Sequence, residues 1–248
     1  MLLYGKNTQQ RVCYCENICL VKVTRKISGE IVEMSTVVAI DGPAGAGKST
    51  VAKLLAEKMG FTYVNTGSLY RAVAWSLNKA GLSTENVSGE FLSSLKLEYV
   101  NGVLLVNGVD PGVELRTAET AASASKVSKQ QLVRDALLPV QRDAAQKGWI
   151  VMEGRDIGTV IFPDAKCKFF VTASLEARAA RRLAQQGEVA NGATFENVMK
   201  DIAARDEQDS KRELAPLKAA EDAVIIDTGD MTPDEVVSAM EQLIVKHL

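Results

Sequence analysis

The stretch TVVAIDGPAGAGKST, residues 36–50, constrains this chain more than any other. Gly42, Gly47, Lys48 and Ser49 fit the pattern G-x-x-x-x-G-K-[ST], with an apolar strand pattern before it and a helical one after it. Glycines let the backbone bend until its N–H groups point inward, and a helix N-terminus adds partial positive charge. The loop Gly42, Pro43, Ala44, Gly45, Ala46, Gly47, Lys48, Ser49 and Thr50 is therefore expected to cradle the phosphates of a nucleoside triphosphate, ATP being the common donor. Lys48 is expected to bridge the β- and γ-phosphates, and Ser49 to place its hydroxyl on Mg²⁺. A switch, a motor, a transporter ATPase and a small-molecule kinase all carry such loops, so the loop alone does not say where the phosphate goes.

From Thr36 onward short apolar runs alternate with helical patterns, the mark of a doubly wound α/β fold with a parallel sheet. TVVAID (36–41), FTYVN (61–65), WIVMEG (149–154), CKFFVTA (167–173) and AVIIDT (223–228) read as strands. In KSTVAKLLAEKMG, Val51, Leu54, Leu55 and Met59 share a helical face, and Gly60 is the stop. Thr66 is expected to cap a helix that closes at Gly81. Two Asn-Gly pairs in LEYVNGVLLVNGVD predict a small antiparallel meander over about Leu97 to Glu114, inserted into the parallel fold. Helices are expected from Thr117 to Gly148 with a break around Ser125–Lys129, along the polar tract 174–212, and from Pro233 onward.

At 248 residues there is room for one sizeable α/β domain with insertions, or for two small domains. A net charge of −2 gives no basic footprint, so nucleic acid is not an expected partner. No run approaches the roughly 18 apolar residues a membrane span requires. The single histidine, His247, at the C-terminal end, nearly excludes histidine triads and histidine-rich metal sites. Cys13, Cys15 and Cys19 lie in RVCYCENIC and Cys167 stands alone far downstream. No second cluster or histidine completes four zinc ligands, so they read as unpaired thiols in a reducing, cytoplasmic setting. Residues 1–33 lack the apolar core and cleavage site of a signal peptide. They are expected to be a poorly ordered upstream extension, with the working domain over 34–248.

Other motifs narrow the reaction. A guanine-reading N-K-x-D is missing: NKAG (78–81) sits in a helical pattern and lacks the aspartate. SASK (123–126) resembles an S-x-x-K nucleophile motif, but neither S-D-N nor K-T-G follows. WIVMEGRD approaches the apolar strand ending in Asp of classical ATPases, then runs straight into Gly-Arg-Asp. The arginines say more. An acceptor that is itself a phosphate monoester brings negative charge beside an anionic triphosphate, and guanidinium groups fork around such oxygens. Arg71 follows NTGSLY, Arg134 lies in LVRDALL, Arg155 in EGRDIGT, Arg178, Arg181 and Arg182 in EARAARR, and Arg205 and Arg212 in AARDEQDSKRE. Taken singly, each reads as a solvated helix residue. At strand ends and helix starts on the phosphate side of the sheet, Arg71 and Arg155 read as ligands. The tract about 178–194 suits a helical lid hinged at Gly187 and Gly192, with Arg178 and Arg182 as its candidate catalytic groups. A phosphomonoester, with its second pKa about 6, attacks without a general base. Positioning and charge stabilisation then suffice, which suits a chain with no catalytic histidine.

IDGPAGAGKST, NTGSLYRA, VRDALL, EGRDIGTVIFPDA and ARDEQDSKRELAPL, in that order and spacing, resemble the bacterial cytidylate (CMP/dCMP) kinases, from about Thr36 to the C-terminus. The resemblance implies a P-loop NTPase fold with strand order 2-3-1-4-5, a monophosphate-binding insert over about 66–147 and an arginine-bearing lid. It implies transfer of the ATP γ-phosphoryl to CMP or dCMP with Mg²⁺, small-molecule partners only, and a monomer. Carried onto matching positions, it implies that Arg71 and Arg155 hold the CMP phosphate. Ser125, Arg134 and Asp156 would read the cytosine, helped by Arg212. Arg205 and Asp209 would lie near the ribose, and Thr66, where a serine would also be expected, would line the acceptor pocket. Cytosine offers an amine donor beside acceptors, complementary to an acidic Asp156 and a donating Arg134, whereas uracil presents an acceptor that Asp156 repels. The alternative readings are another small-molecule kinase, acting on UMP/CMP, AMP or shikimate, or a regulatory ATPase. EGRD and the meander count against the first, and the arginine set against the second.

Overall fold

A computed structural model of the chain describes residues 24–27, 30–33, 37–100, 102–146, 148–185, 189 and 192–247. In the upstream segment β1 (Thr24–Ile27) and β2 (Glu30–Glu33) pair as an antiparallel hairpin, Thr24 opposite Glu33. Cys13, Cys15 and Cys19 lie outside the described residues.

The remaining elements follow the expected alternation. They are β3 (Val37–Asp41), α1 (Lys48–Met59), β4 (Thr62–Asn65), α2 (Thr66–Lys79), α3 (Gly89–Ser94), β5 (Leu97–Val100), β6 (Val103–Val106), α4 (Ala118–Val127), α5 (Gln131–Gln146), β7 (Ile150–Glu153), β8 (Cys167–Thr172), α6 (Leu175–Ala184), α7 (Phe195–Lys211), β9 (Val224–Asp227) and α8 (Pro233–His247). A 3-10 helix spans Gly112–Arg116 and a π-helical turn Ile157–Ile161. The main sheet is parallel, in the order β4-β7-β3-β8-β9. Counting only its own five strands along the chain, that is the order 2-3-1-4-5.

Central strand β3 is buried along its whole length, which is why it reads as a continuous apolar run rather than an alternating one. Val38 and Ile40 face one side, packing with Val51 and Leu55 of α1 and Met240 and Ile244 of α8. Val37 and Ala39 face the other, with Val64, Ile150, Met152, Ile157 and Ile161. The insert builds its own core: Leu69, Val73 and Leu77 of α2 meet Leu104, Val106, Val127, Val133 and Leu137. Between α6 and α7 the buried apolar cluster is only Ala179, Val198 and Ile202.

Two expectations are corrected. The meander is a two-stranded hairpin, Leu97 opposite Val106, extended by a single bridge between Val106 and Val109. Asn107 and Gly108 have φ of 50° and 81°, as a tight turn requires, but Asp110-Pro111 follows at once. Proline has no N–H for a ladder, and Asp110 Oδ1 accepts the Gly112 N–H at 2.8 Å, so the third strand gives way to the 3-10 helix. The cap of α2 is Asn65, not Thr66. Asn65 Oδ1 accepts the Ser68 N–H at 3.1 Å, which makes Thr66 the first helical residue and leaves its hydroxyl free for another partner.

Candidate active site

At the C-terminal end of β3 the chain turns through Gly42, φ +147°, where a Cβ would lie 2.0 Å from the Val171 carbonyl oxygen. Only glycine passes there. The turn carries the loop up to Gly47, the residue before α1, so that the first amides of α1 face the loop's interior. Lys48, 5% exposed, donates from Nζ to the Pro43 carbonyl at 2.7 Å, within the loop itself. Burial, and then the positive charge of Arg155, lower its pKa to about 7. Ser49 and Thr50 are exposed at the start of α1. Tyr63 links Ser49 to the sheet: its phenol donates to Glu153 Oε1 at 2.6 Å and lies within hydrogen-bonding reach of Ser49.

The α6 arginines divide. Arg178 is buried; its Nε donates to Ala173 O at 3.0 Å and its Nη1 to Ala44 O at 3.1 Å, and it pairs with Asp206. Asp206 Oδ1 also accepts the Ala44 N–H at 3.2 Å, so α6 and α7 clamp the loop from behind. Arg181 Nη1 donates to the Thr228 hydroxyl at 2.9 Å, which donates in turn to Ala46 O at 3.2 Å. Of the two candidate lid groups, Arg178 therefore sits beneath the loop. Arg182 lies close enough to Arg205 to be felt by its charge. Hinge residue Gly187 lies outside the described residues.

Opposite the loop, β7 ends at Glu153. The Gly154 N–H donates to Ile40 O at 3.0 Å, and a Cβ on Gly154 would lie 2.6 Å from Thr66 Oγ1. Absence of that side chain lets the EGRD turn press against α2, with the Thr66 hydroxyl donating to Glu153 O at 2.8 Å. Arg155 donates from Nε to Asp209 Oδ2 at 3.1 Å. Asp156, 5% exposed, pairs with Arg134 of α5 and lies 3.6 Å from Arg212 Nη2. The Tyr70 ring lies 5.8 Å from the Arg134 guanidinium carbon. Ser125 of α4 accepts from Gln208 Nε2 at 2.5 Å. Arg71 donates from Nη1 to Leu115 O at 2.8 Å.

Arg205 gathers these strands of charge. Its Nε is buried without a hydrogen-bond partner. Burial first, then the positive charges of Arg155, Arg182 and Arg71, lower its pKa to about 10, with Asp209 opposing. Arg155, Arg182 and Arg71 thus lie near enough to Arg205 for their charges to bear on it, and Asp209, paired with Arg155, offsets part of that positive charge. Beside it, Asp156 sits between Arg134 and Arg212, so one carboxylate and two forks offer both acceptor and donor groups to a flat polar ligand.

The candidate site residues therefore fall near one of two facing groups, Arg178 beneath the loop in contact with Ala44 rather than on the side that faces the acceptor half. Sequence reasoning missed Asp206, Gln208, Glu153, Tyr63 and Asp41. Asp206 and Gln208 sit within ARDEQDSKRE, beside Arg205 and Asp209, but nothing in that run says which positions face the loop. Asp41 directly precedes the glycine motif and has no place in its pattern.

Among protein families, the model described as cytidylate kinase matches residues 38–246. The cytidylate kinase of Thermotoga maritima is 48% identical over 214 residues, covering 85% of this chain and 97% of that protein. The cytidylate kinase of Geobacter sp. (strain M21) is 44% identical over 222 residues, covering 87% and 95%. Among solved structures, a shikimate kinase from Acinetobacter baumannii in complex with shikimate gives a TM-score of 0.44 at 15% identity, covering 86% of this chain and 94% of that one, too distant to bear on the reaction. With the parallel sheet, the phosphate loop and the facing arginines in place, these likenesses make the chain a member of the cytidylate kinase family.

Proposed function

We propose that the two facing groups are the donor and acceptor halves of one phosphotransfer site. As a member of its family, the chain transfers the γ-phosphoryl of ATP to CMP or dCMP. On the donor side the loop amides, from Gly42 to Thr50, and Lys48 take the triphosphate, the anion replacing Pro43 O as the partner of Lys48 Nζ. Mg²⁺ keeps several waters and takes few protein ligands beside substrate phosphates, and the exposed Ser49 hydroxyl at the start of α1 fits that donor set. When bound, the ion would neutralise charge on the triphosphate oxygens.

On the acceptor side Arg71 and Arg155 hold the monophosphate; Arg205, which the resemblance puts near the ribose, joins them because the charges of both bear on it, and Arg182 approaches from α6 to stabilise charge on the transferring group. Arg178 positions the loop through Ala44 instead of meeting substrate. Asp156 accepts from the cytosine amine, and Arg134 donates to the ring's acceptors, with Ser125 and Arg212 beside them. Asp209 and Thr66 face the sugar. The acceptor phosphate attacks already ionised, so no side chain has to remove a proton at that step.

The observation that carries this reading is buried Asp156 held between Arg134 and Arg212, with Arg155 one residue before it paired to Asp209. A regulatory ATPase has no use for such a cluster. We also propose that the enzyme is a cytoplasmic monomer without nucleic-acid partners; its net charge of −2 supports the last point. No described helix is long and apolar enough to cross a membrane. A coupled ADP-release assay across CMP, dCMP, UMP, AMP and GMP tests the reading. Preference for the cytidine nucleotides is expected, and equal rates with all five would end it.

A further inference from the structure

One buried carboxylate belongs to neither half of this site. Asp41 ends β3, is 4% exposed, and lies one residue before the phosphate loop. Its Oδ1 accepts the Ile157 N–H and its Oδ2 the Gly158 N–H, each at 2.8 Å, across more than a hundred residues of sequence. Those two amides open the π-helical turn Ile157–Ile161.

A helical N-terminus is normally capped by the side chain of the residue that precedes it. That residue here is Asp156, among the best capping types, yet it makes no side-chain cap hydrogen bond. Its carboxylate instead pairs with Arg134 and approaches Arg212 to 3.6 Å. Of the amides a capping Asp156 would serve, those of Gly158 and Thr159, the Gly158 N–H is already taken by Asp41. We propose that Asp41 caps the turn from the neighbouring strand and thereby frees Asp156 to face the acceptor base, which makes Asp41 a positioning residue for cytosine selectivity. This inference rests on the base-reading role given to Asp156 above.

The surroundings leave the turn little freedom to find another arrangement. A Cβ on Gly158 would lie 3.1 Å from Lys168 Cδ and 3.5 Å from Asp41 Oδ2. The Gly154 N–H is held by Ile40 O, the carbonyl just before Asp41. The same strand end thus launches the phosphate loop through Gly42 and anchors the start and the turn of the base-reading segment. Asparagine at position 41 offers one carbonyl oxygen and one NH₂ group, so one of the two turn amides meets a donor. If the Gly158 N–H is the one left, Asp156, the cap residue of the turn, is placed to accept it at the expense of its contact with Arg134.

The test compares native protein, Asp41→Asn, Asp156→Ala and the double variant as full chains. It measures kcat/KM for CMP and for UMP, the KM for ATP, and the melting temperature. Asp41→Asn is expected to lower the CMP-to-UMP ratio at least tenfold, with KM for CMP rising more than KM for ATP. Because Asp41 acts through Asp156, adding Asp41→Asn to Asp156→Ala is expected to leave the ratio where Asp156→Ala alone puts it. Should Asp41→Asn fail to fold, Gly158→Ala, which crowds the turn against Lys168, is expected to move the ratio the same way. A uniform loss of rate at an unchanged ratio would overturn the positioning role while leaving Asp156 as base reader. An unchanged ratio in Asp156→Ala would remove the base-reading assignment and this inference with it.

Discussion

As proposed, the phosphate loop and the acceptor pocket hold anions by different means. The loop is nine contiguous residues whose grip comes from backbone amides shaped by glycine, with Lys48 the one charged side chain. The pocket draws Arg71, Arg134, Arg155, Arg182, Arg205 and Arg212 from five separate segments, and carboxylates of the same fold answer several of those charges. Arg155 leans on Asp209 and Arg134 on Asp156. Backbone recognition is indifferent to what lies beyond the phosphates, so the loop serves any triphosphate. Paired side chains can reject a ligand that supplies the wrong partner, because the remaining buried charge is then left unanswered. Identity therefore belongs to the acceptor half.

The largest effect should come from the loop. Gly42→Ala places a methyl 2.0 Å from the Val171 carbonyl, a backbone atom that cannot move without disturbing β8. A loss on the order of 3 kcal/mol in stability is expected, together with ATP binding, in thermal unfolding and nucleotide titration. Retention of both would mean that the loop is far more plastic than its geometry indicates.

Arg205→Met sharpens the contrast from the other side. Arg205 is buried, its Nε lacks a hydrogen-bond partner, and Arg155 opposes its charge more than Asp209 supports it, so removing it should leave the melting temperature unchanged or higher. The KM for CMP should nevertheless increase by roughly 10- to 100-fold, the value of one or two charge-assisted hydrogen bonds. A fall in melting temperature with unchanged KM for CMP would make Arg205 structural.

A smaller, pH-dependent effect distinguishes the loop's lysine. Lys48 titrates near 7 in the free protein against the ordinary 10.5, so between those values the native chain binds fewer protons than the unfolded one. Native stability gains from this group as pH rises through that window, and is reduced below about 7, where the buried amine must carry charge. Triphosphate restores the charge, so ATP binding at pH 8 should take up about one proton, and its affinity should weaken as pH rises further. Calorimetric titration in buffers of different ionisation enthalpy reads this directly; no uptake at pH 8 would contradict it. The smallest effect is expected from removing residues 1–33. A chain starting at Met34 should keep its acceptor preference and its kcat within about twofold, since no site residue lies in that segment.

The same contrast explains what the sequence disclosed. Strand positions were legible because buried parallel strands such as VVAID and IVME are continuous apolar runs between helical patterns, whereas the sheet order came from the family resemblance. The donor loop was legible because contiguous residues carry all of it. In the acceptor half, chain position singled out Arg71 and Arg155, the family resemblance named the rest of the residue set, and neither gave its pairings. Arg178 stands in the same helix as Arg182, yet turns under the loop to Asp206, and helical spacing does not say which neighbour waits on each face. Asp41 was invisible for the same reason: its partners, Ile157 and Gly158, are backbone amides more than a hundred residues away. Misjudging the cap at Asn65 was more local. Thr and Asn are both good caps, and which one bends out of the helix depends on β4 running directly into α2.

The claim that identity resides in the acceptor half is tested most directly in Asp156→Ala, by the ratio of kcat/KM for CMP to that for UMP, measured beside the affinity for ATP. The ratio is expected to fall by about 100-fold, because the cytosine amine loses its acceptor and uracil loses its repulsion, while ATP affinity stays within a few-fold. A ratio equal to that of the native protein would contradict the account.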